Sequence, residues 1–159
     1  MKKYLLSAAM VVLFLQTFII CRAQDEWVPA AIKESFANRF YDAELIKWSL
    51  GRDSYIATIV RNDERLDAYF SDAGDFKGFG RMTTEEFLPL KIQYKLAKEY
   101  PEYLVSEVYE FDCTENGPFY YISLKGLKHN LIVRFKPVGD ATVMKKAIVV
   151  NQELVARRN

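Results

Sequence analysis

The chain is poor in the residues that carry most enzyme chemistry, with one histidine and two cysteines among 159 residues. It also has almost no net charge, because 22 basic residues face 21 acidic ones. A charge this small gives no electrostatic footprint for nucleic acid or for an anionic membrane. Disorder is excluded as well, since a chain with 14% aromatic and 27% charged residues can bury a core. The length suits one domain of ordinary size or two very small ones.

No catalytic or metal-binding pattern is present in the sequence. The single histidine is His129, and the sequence has no Gly-x-Ser-x-Gly motif or other activated nucleophile for which it could act as a base. One histidine with so few cysteines cannot provide the usual ligands of a zinc site. The segment Asp72-Ala73-Gly74-Asp75 lacks the alternating ligands and the distal glutamate of a calcium loop, and it fits a hairpin turn. We therefore expect a non-enzyme with no catalytic residue, no metal and no cofactor.

Residues 1–23 have the pattern of a secretion signal. Lys2 and Lys3 precede a long apolar stretch, and Cys21-Arg22-Ala23 places small residues where a signal peptidase cleaves. Cleavage after Ala23 predicts an exported protein, periplasmic or secreted, with no stable membrane span. The alternative is a lipid anchor on Cys21, which the bulky Ile20 disfavours. Without the leader Cys113 is the only cysteine, which excludes an intramolecular disulfide.

The rest of the chain contains an internal repeat. Val28-Pro29 matches Leu88-Pro89 at an offset of 60, and the segment 55–59 lies over 120–124 at an offset of 65. The match predicts a first helix–sheet repeat over residues 24–83, a second over residues 84–150, and a polar tail over residues 151–159.

Each repeat begins with a helical pattern and continues with strand patterns. Val28, Ile32, Phe36 and Phe40 recur every four residues, which places them on one stripe of a helix of about three turns. Alternating apolar and polar residues follow, separated by turn signals. The sequence therefore predicts an α+β fold of tandem helix-plus-antiparallel-sheet repeats. The helices would pack on one face of the sheet and leave the other face uncovered.

Several of these motifs occur together in a known group of proteins. They are the apolar-Pro helix starts, the segment Ile46-Lys47-Trp48 and the turn Phe70-x-Asp72-x-Gly74. In these motifs the chain resembles the β-lactamase-inhibitor-like, PepSY-like secreted proteins of bacteria over nearly all of residues 27–150. The second repeat departs from the first, because Ser106-Glu107-Val108 stands where the Trp48 motif would align.

The resemblance implies a non-enzymatic exported domain with an α+β fold. The group is named for its structural similarity to an inhibitor that grips its target enzyme with a concave sheet face. The name does not imply that this chain inhibits a β-lactamase, because a shared fold is not a shared function.

The uncovered sheet face is the remaining candidate for a functional surface. If Leu66, Ala68 and Phe70 face the helix, the alternation of strand side chains turns their neighbours outward. The same argument in two later strands completes a set of four candidate binding residues: Tyr69, Tyr121, Ile132 and Arg134. Tyr and Arg are frequent anchors of protein interfaces.

The leading functional hypothesis is an exported, non-enzymatic binding module, inhibitor-like in its mode of contact. It would recognise a protein or peptide of the cell envelope through the open sheet face. A second hypothesis is a periplasmic small-ligand carrier with an apolar cleft between the helices and the sheet or between the two repeats. The four side chains also fit ordinary cross-strand pairing on a solvated sheet that binds nothing.

Overall fold

A computed structural model of the chain describes residues 25–149. The predicted signal peptide (residues 1–23), including the lipid-anchor alternative at Cys21, lies outside the described residues, as does the predicted polar tail (residues 151–159). Residues 25–149 contain no helix with the length and hydropathy of a membrane-spanning segment.

The described chain folds into one antiparallel sheet with two helices. Helix α1 (Ala30–Arg39) precedes the first four strands, and helix α2 (Leu90–Glu99) precedes the last four. A short 3-10 turn over Glu85–Phe87 leads into α2. The strands are adjacent in the sheet in their chain order, so every connection between neighbours is local or passes through α2. They are β1 (Glu44–Leu50), β2 (Tyr55–Arg61), β3 (Glu64–Phe70), β4 (Phe76–Thr83), β5 (Leu104–Cys113), β6 (Gly117–Lys125), β7 (His129–Phe135) and β8 (Ala141–Ile148).

The predicted fold class is wrong. An α+β fold of repeated helix-plus-sheet units was expected, whereas residues 25–149 form a mainly-β fold with one eight-stranded sheet. The two helices in this part of the chain have only ten residues each. The physical cause is the pairing of β4 with β5, which runs from Gly78 opposite Cys113 to Thr83 opposite Val108 and joins the two halves into one sheet.

Both helices begin directly after a proline. Pro29 and Pro89 hold φ values of −55° and −51°, and a proline at a helix start loses no intrahelical hydrogen bond. Both helices also end alike, because the backbone N–H of Phe40 donates to the carbonyl of Phe36, and that of Tyr100 donates to the carbonyl of Leu96. Each helix has ten residues, which make about three turns.

The core lies between the helices and one face of the sheet, here called the helix face. It consists of two clusters of buried apolar side chains, one under each helix. The α1 cluster includes Val28, Ile32, Phe40, Trp48, Ala57, Ile59, Ala68 and Phe70. The α2 cluster includes Leu88, Ile92, Leu96, Val108, Tyr120, Ile122, Leu124, Leu131, Val133 and Phe135. Leu66, Ala68 and Phe70 thus face the helix, as the sequence predicts.

A polar seam separates the two clusters on the helix face of β4 and β5. The Arg81 guanidinium donates to the carboxylates of Glu64 and Glu110, and it therefore links three adjacent strands. Glu110 also accepts a hydrogen bond of 3.1 Å from the hydroxyl of Tyr120. These charges are partly exposed, so each ion pair contributes at most about 1 kcal/mol.

Candidate functional site

The second face of the sheet, here called the open face, carries no helix in residues 25–149. Side chains on one face recur at every second residue of a strand, and paired residues of neighbouring strands share a face. The open face therefore holds the side chains that alternate with the two core clusters. Its central members are Thr58, Asp67, Tyr69, Gly80, Met82, Tyr109, Phe111, Phe119, Tyr121, Ile132 and Arg134.

The four predicted binding residues all lie on the open face, in two places. Tyr121 of β6 pairs directly with Arg134 of β7, and Ile132 pairs with Ser123 in the next row. Tyr69 lies on β3, and β4 and β5 separate it from Tyr121. All four side chains are half-buried. The structure thus groups three of them and sets Tyr69 apart.

Tyr109 of β5 connects the two places. Its Cα pairs with that of Tyr121, while its hydroxyl oxygen lies 2.8 Å from the hydroxyl oxygen of Tyr69. The Tyr109 hydroxyl also donates to the Oδ2 atom of Asp67 at 3.1 Å. A single side chain therefore reaches from β5 across β4 to two residues of β3.

Gly80 makes this crossing possible. A Cβ atom at residue 80 would lie 2.4 Å from the Tyr109 hydroxyl oxygen and 2.5 Å from its Cε1 atom. Such distances are closer than any real Cβ contact, so the Tyr109 ring occupies the space that a side chain at residue 80 would need. Because residue 80 of β4 has no side chain, the Tyr109 ring can cross the sheet at this position.

Hydrogen bonds join the hydroxyl groups of Tyr69, Tyr109 and Thr58 to the Asp67 carboxylate in one network. Thr58 is buried, with 2% of its surface exposed, and its hydroxyl donates to the Oδ1 atom of Asp67 at 2.7 Å. Since Tyr109 donates to Asp67, its oxygen is free to accept the proton of Tyr69. Burial raises the pKa of the Tyr109 hydroxyl above its usual value, and the hydrogen bond that this hydroxyl donates to Asp67 raises it further. Burial also raises the pKa of Tyr69.

Aromatic rings continue from this network along β5 and β6. The Phe111 ring meets Tyr69 edge to face, with ring centroids 5.0 Å apart, and Phe111 pairs with Phe119 on β6. The Arg134 guanidinium lies 5.4 Å from the centroid of Phe119. Edge-to-face and cation–π contacts hold aromatic rings in defined orientations. The centre of the open face is therefore an ordered aromatic surface.

Met82 and a small hollow border the aromatic residues. Met82 of β4 pairs with Tyr109, and 60% of its surface is exposed. On the other side, a hollow of about 240 Å³ is lined in part by Ser123, Ile132 and Lys145. Within residues 25–149 no group of three or more acidic, histidine or cysteine side chains could hold a metal ion. The arrangement suits contact by shape and aromatic surface.

Sequence reasoning missed Tyr109 and Phe111, the two residues that join the aromatic surface together. Their signal is present in the sequence, since both alternate with Val108, which lies in the core. Gly80 and Thr58 were missed for a different reason. Their roles depend on contacts with other strands, which no local pattern contains.

The architecture defines a class of fold: a mainly-β, eight-stranded antiparallel sheet with two short helices on one face. Several solved structures share it, and three of them are examples. They are a DUF2874 family protein of Bacteroides uniformis (TM-score 0.66, 17% identity, 77% of this chain and 91% of that chain), a proposed periplasmic protein of Bacteroides eggerthii (0.65, 18%, 77% and 90%), and a BLIP-like protein of Bacteroides fragilis (0.60, 15%, 79% and 91%).

At these identities the similarity shows the fold alone. It supports the β-lactamase-inhibitor-like part of the resemblance noted in the sequence, because one of the similar structures is BLIP-like. The PepSY-like part is not supported. No protein-family model and no curated protein matches the sequence.

Proposed function

We propose that the protein is an exported, non-enzymatic binding module that recognises a protein or peptide of the cell envelope through its open face. The observation that carries the proposal is the aromatic surface centred on Tyr69, Tyr109 and Phe111. Aromatic side chains bury much area at little entropic cost, and they dominate the energetics of many interfaces.

The fixed orientations of the aromatic rings favour a binding role over ordinary cross-strand pairing on a solvated sheet. The hydrogen bond from Tyr69 to Tyr109 and the edge-to-face contact of Tyr69 with Phe111 fix the rings before any partner arrives. A preorganised surface loses less conformational entropy on binding. Arg134 and the exposed Met82 provide further side chains of the types that are enriched at interfaces.

Under this proposal the protein is exported and acts without catalysis. The similar structures include one proposed periplasmic protein and one BLIP-like protein, and residues 1–23 have the pattern of a secretion signal. An intact-mass measurement of the exported protein tests this point. An N-terminus at Gln24 supports cleavage after Ala23, whereas a diacylated Cys21 would show a lipid anchor.

The carrier hypothesis has weaker support. It requires an apolar cleft between the helices and the sheet or between the two repeats. Strands β4 and β5 pair where the two repeats meet, and side chains fill the space under the helices in the described part of the chain. Ile32 and Ile92 of the helices, and Phe70 and Phe135 below them, are 0% exposed. Native mass spectrometry of the exported protein tests the hypothesis, because a carrier would retain a small molecule.

A photo-crosslinking experiment tests the open face directly. A photoreactive phenylalanine analogue replaces Met82 on the open face or, as a control, Leu127, which is 96% exposed in the β6–β7 turn. We expect a protein or peptide to be captured from residue 82 and not from residue 127. The captured partner is then purified, and its affinity is measured by calorimetry.

The affinity measurements test whether the rings of Tyr69 and Tyr121 contribute to binding. Tyr69→Ala/Tyr121→Ala is expected to weaken binding by about 2 kcal/mol or more, as truncation of interface anchors does. Leu127→Ala should bind like the unmodified chain. An unchanged affinity of the double variant would contradict the open-face proposal.

A further inference from the structure

The outward side of α2 carries two parallel stripes of side chains. Leu90 and Tyr94 are one helical turn apart and 80% and 69% exposed. Lys91, Lys95 and Lys98 follow at spacings of four and three residues and form a basic stripe beside them. The opposite side of the helix, with Ile92 and Leu96, is buried in the α2 cluster. The two stripes therefore face away from the protein.

The turn between β7 and β8 extends this surface. Gly139 packs against the helix, because a Cβ atom at residue 139 would lie 3.6 Å from the Cβ atom of Lys91. This contact places Val138, which is 61% exposed, beside the helix. Between helix and turn lies an open hollow of about 550 Å³, whose lining includes Leu90, Tyr94 and Val138.

Two of the three lysines lack an acidic partner among the described residues. Lys95 pairs with Glu99 at 3.7 Å, and the Lys98 ammonium lies 5.9 Å from the ring centroid of Tyr94. Lys91 and Lys98 form no ion pair within residues 25–149. Glu99 and Asp140 also line the hollow, which therefore has three basic and two acidic residues around it.

The corresponding surface of α1 shows that the fold does not require these side chains. Gly74 packs against α1 as Gly139 packs against α2, and both glycines have a φ near +90°. At the positions that match the α2 stripes and Val138, the first half of the chain has only small or polar residues, without a lysine. These residues are Ala30, Ala31, Glu34, Ser35, Asn38 and Ala73.

We propose that the outward side of α2, with Val138, docks on the surface of a bilayer that contains anionic lipids. Exposed apolar side chains beside a row of lysines match the interface of such a bilayer, where apolar groups insert between headgroups and ammonium groups contact phosphates. Tyr94 suits the same depth, because tyrosine combines an apolar ring with a polar tip. A second copy of the chain does not fit this surface, since a symmetric contact would bring lysines against lysines.

The near-zero charge of the whole chain does not oppose this docking. Charges farther apart than about 8 Å are largely screened at physiological salt, so the local lysines decide the attraction. Because α2 covers the helix face of the sheet, docking through α2 leaves the open face directed away from the bilayer. The two proposals are thus compatible and independent.

Vesicle co-sedimentation tests the proposal. The full chain is expressed and exported, and the processed protein is purified so that the apolar leader cannot bind lipid. The vesicles contain either phosphatidylcholine alone or phosphatidylcholine mixed with phosphatidylglycerol. We expect binding to the anionic vesicles, weakening with added salt, and much less binding to phosphatidylcholine. Each lysine near the surface is expected to contribute about fivefold in the partition coefficient.

Two variants and one control separate docking from general charge effects. Lys91→Glu/Lys98→Glu should lose at least about twentyfold in binding to the anionic vesicles, and Leu90→Ser/Tyr94→Ser should also bind more weakly. Lys33→Glu/Lys47→Glu makes the same charge change in the first half of the chain and should bind normally. Circular dichroism confirms that all variants are folded.

Three outcomes would overturn the proposal: no binding to either vesicle, equal binding to both, or equal losses in the two charge-reversal variants. A surface made for an acidic protein segment would give the first outcome. Crosslinking at Met82 does not depend on α2, so failure of this proposal and failure of the open-face proposal are distinguishable.

Discussion

The hydroxyl oxygens of Tyr69 and Tyr109 lie 2.8 Å apart, although the two residues are separated by 40 positions in the chain. The Tyr109 ring reaches Tyr69 by crossing β4 over Gly80. This contact ties β5 to β3 on the open face and orders the aromatic surface that we propose as the binding site. It also makes the surface sensitive to residues that would never touch a partner.

Gly80→Ala is expected to destabilise the protein by about 2 kcal/mol, because overpacking of this kind forces a side chain or the backbone to move. The new methyl group would collide with the Tyr109 ring. Denaturant unfolding measures the change. In the background Tyr109→Ala the same substitution should cost much less, since the ring is gone. An equal loss of unfolding free energy in both backgrounds would contradict the passage of the Tyr109 ring over Gly80.

Tyr109→Phe is expected to cost about 1–2 kcal/mol at neutral pH, because it leaves the Tyr69 hydroxyl without its acceptor and Asp67 without one donor. Thermal or denaturant unfolding measures this loss. Tyr41→Phe removes a hydroxyl from a residue that is 84% exposed and should change little. A cost equal to that of the Tyr41 variant would argue against the network.

The same tyrosine predicts a loss of stability in alkali. Burial raises the pKa of Tyr109 in the folded protein, so the folded state holds this proton more tightly than the unfolded state. The resulting stabilisation is complete below the usual tyrosine pKa of about 10 and is lost as the pH rises above it. The free energy of unfolding should therefore fall less steeply above that pH in Tyr109→Phe than in the unmodified chain. Parallel pH profiles would contradict the assignment.

Gly74→Ala is expected to be more destabilising than Gly139→Ala. Both glycines have a positive φ, +90° and +95°, which costs any other residue about 1–2 kcal/mol. A Cβ atom at residue 74 would also press on the Ala31 carbonyl oxygen at 3.2 Å, whereas the nearest atom at residue 139 lies at an ordinary 3.6 Å. Thermal unfolding of the two variants gives the comparison. The reverse order would show that α1 can move away from the turn.

Phe70→Ala is expected to cost about 3–5 kcal/mol, as large-to-small changes in a filled core do. Phe70 is 0% exposed, and its ring contacts those of Phe36, Phe40, Trp48 and Phe76. Leu127→Ala, at a residue that is 96% exposed, should stay within about 0.5 kcal/mol of the unmodified chain. Chemical denaturation measures both. A small loss for Phe70→Ala would show that the cluster under α1 can repack.

Much of the local structure could be predicted from patterns in the chain. The period-two alternation correctly placed Leu66, Ala68 and Phe70 toward the helix and Tyr69 on the other face. The four-residue spacing after Pro29 and Pro89 correctly predicted two helices that pack through Ile32 and Ile92. These predictions succeed because the direction of a side chain follows from the backbone geometry of its own element.

The sequence by itself determined where the helices begin and, on several strands, which side chains enter the core. Only the tertiary structure decided that β4 and β5 join all eight strands into one sheet, which replaced the expected α+β repeats with a mainly-β fold. It also decided that Tyr109 meets Tyr69 over Gly80. The physical reason is that such contacts join residues far apart in the chain, whereas the patterns that a sequence displays are set by near neighbours.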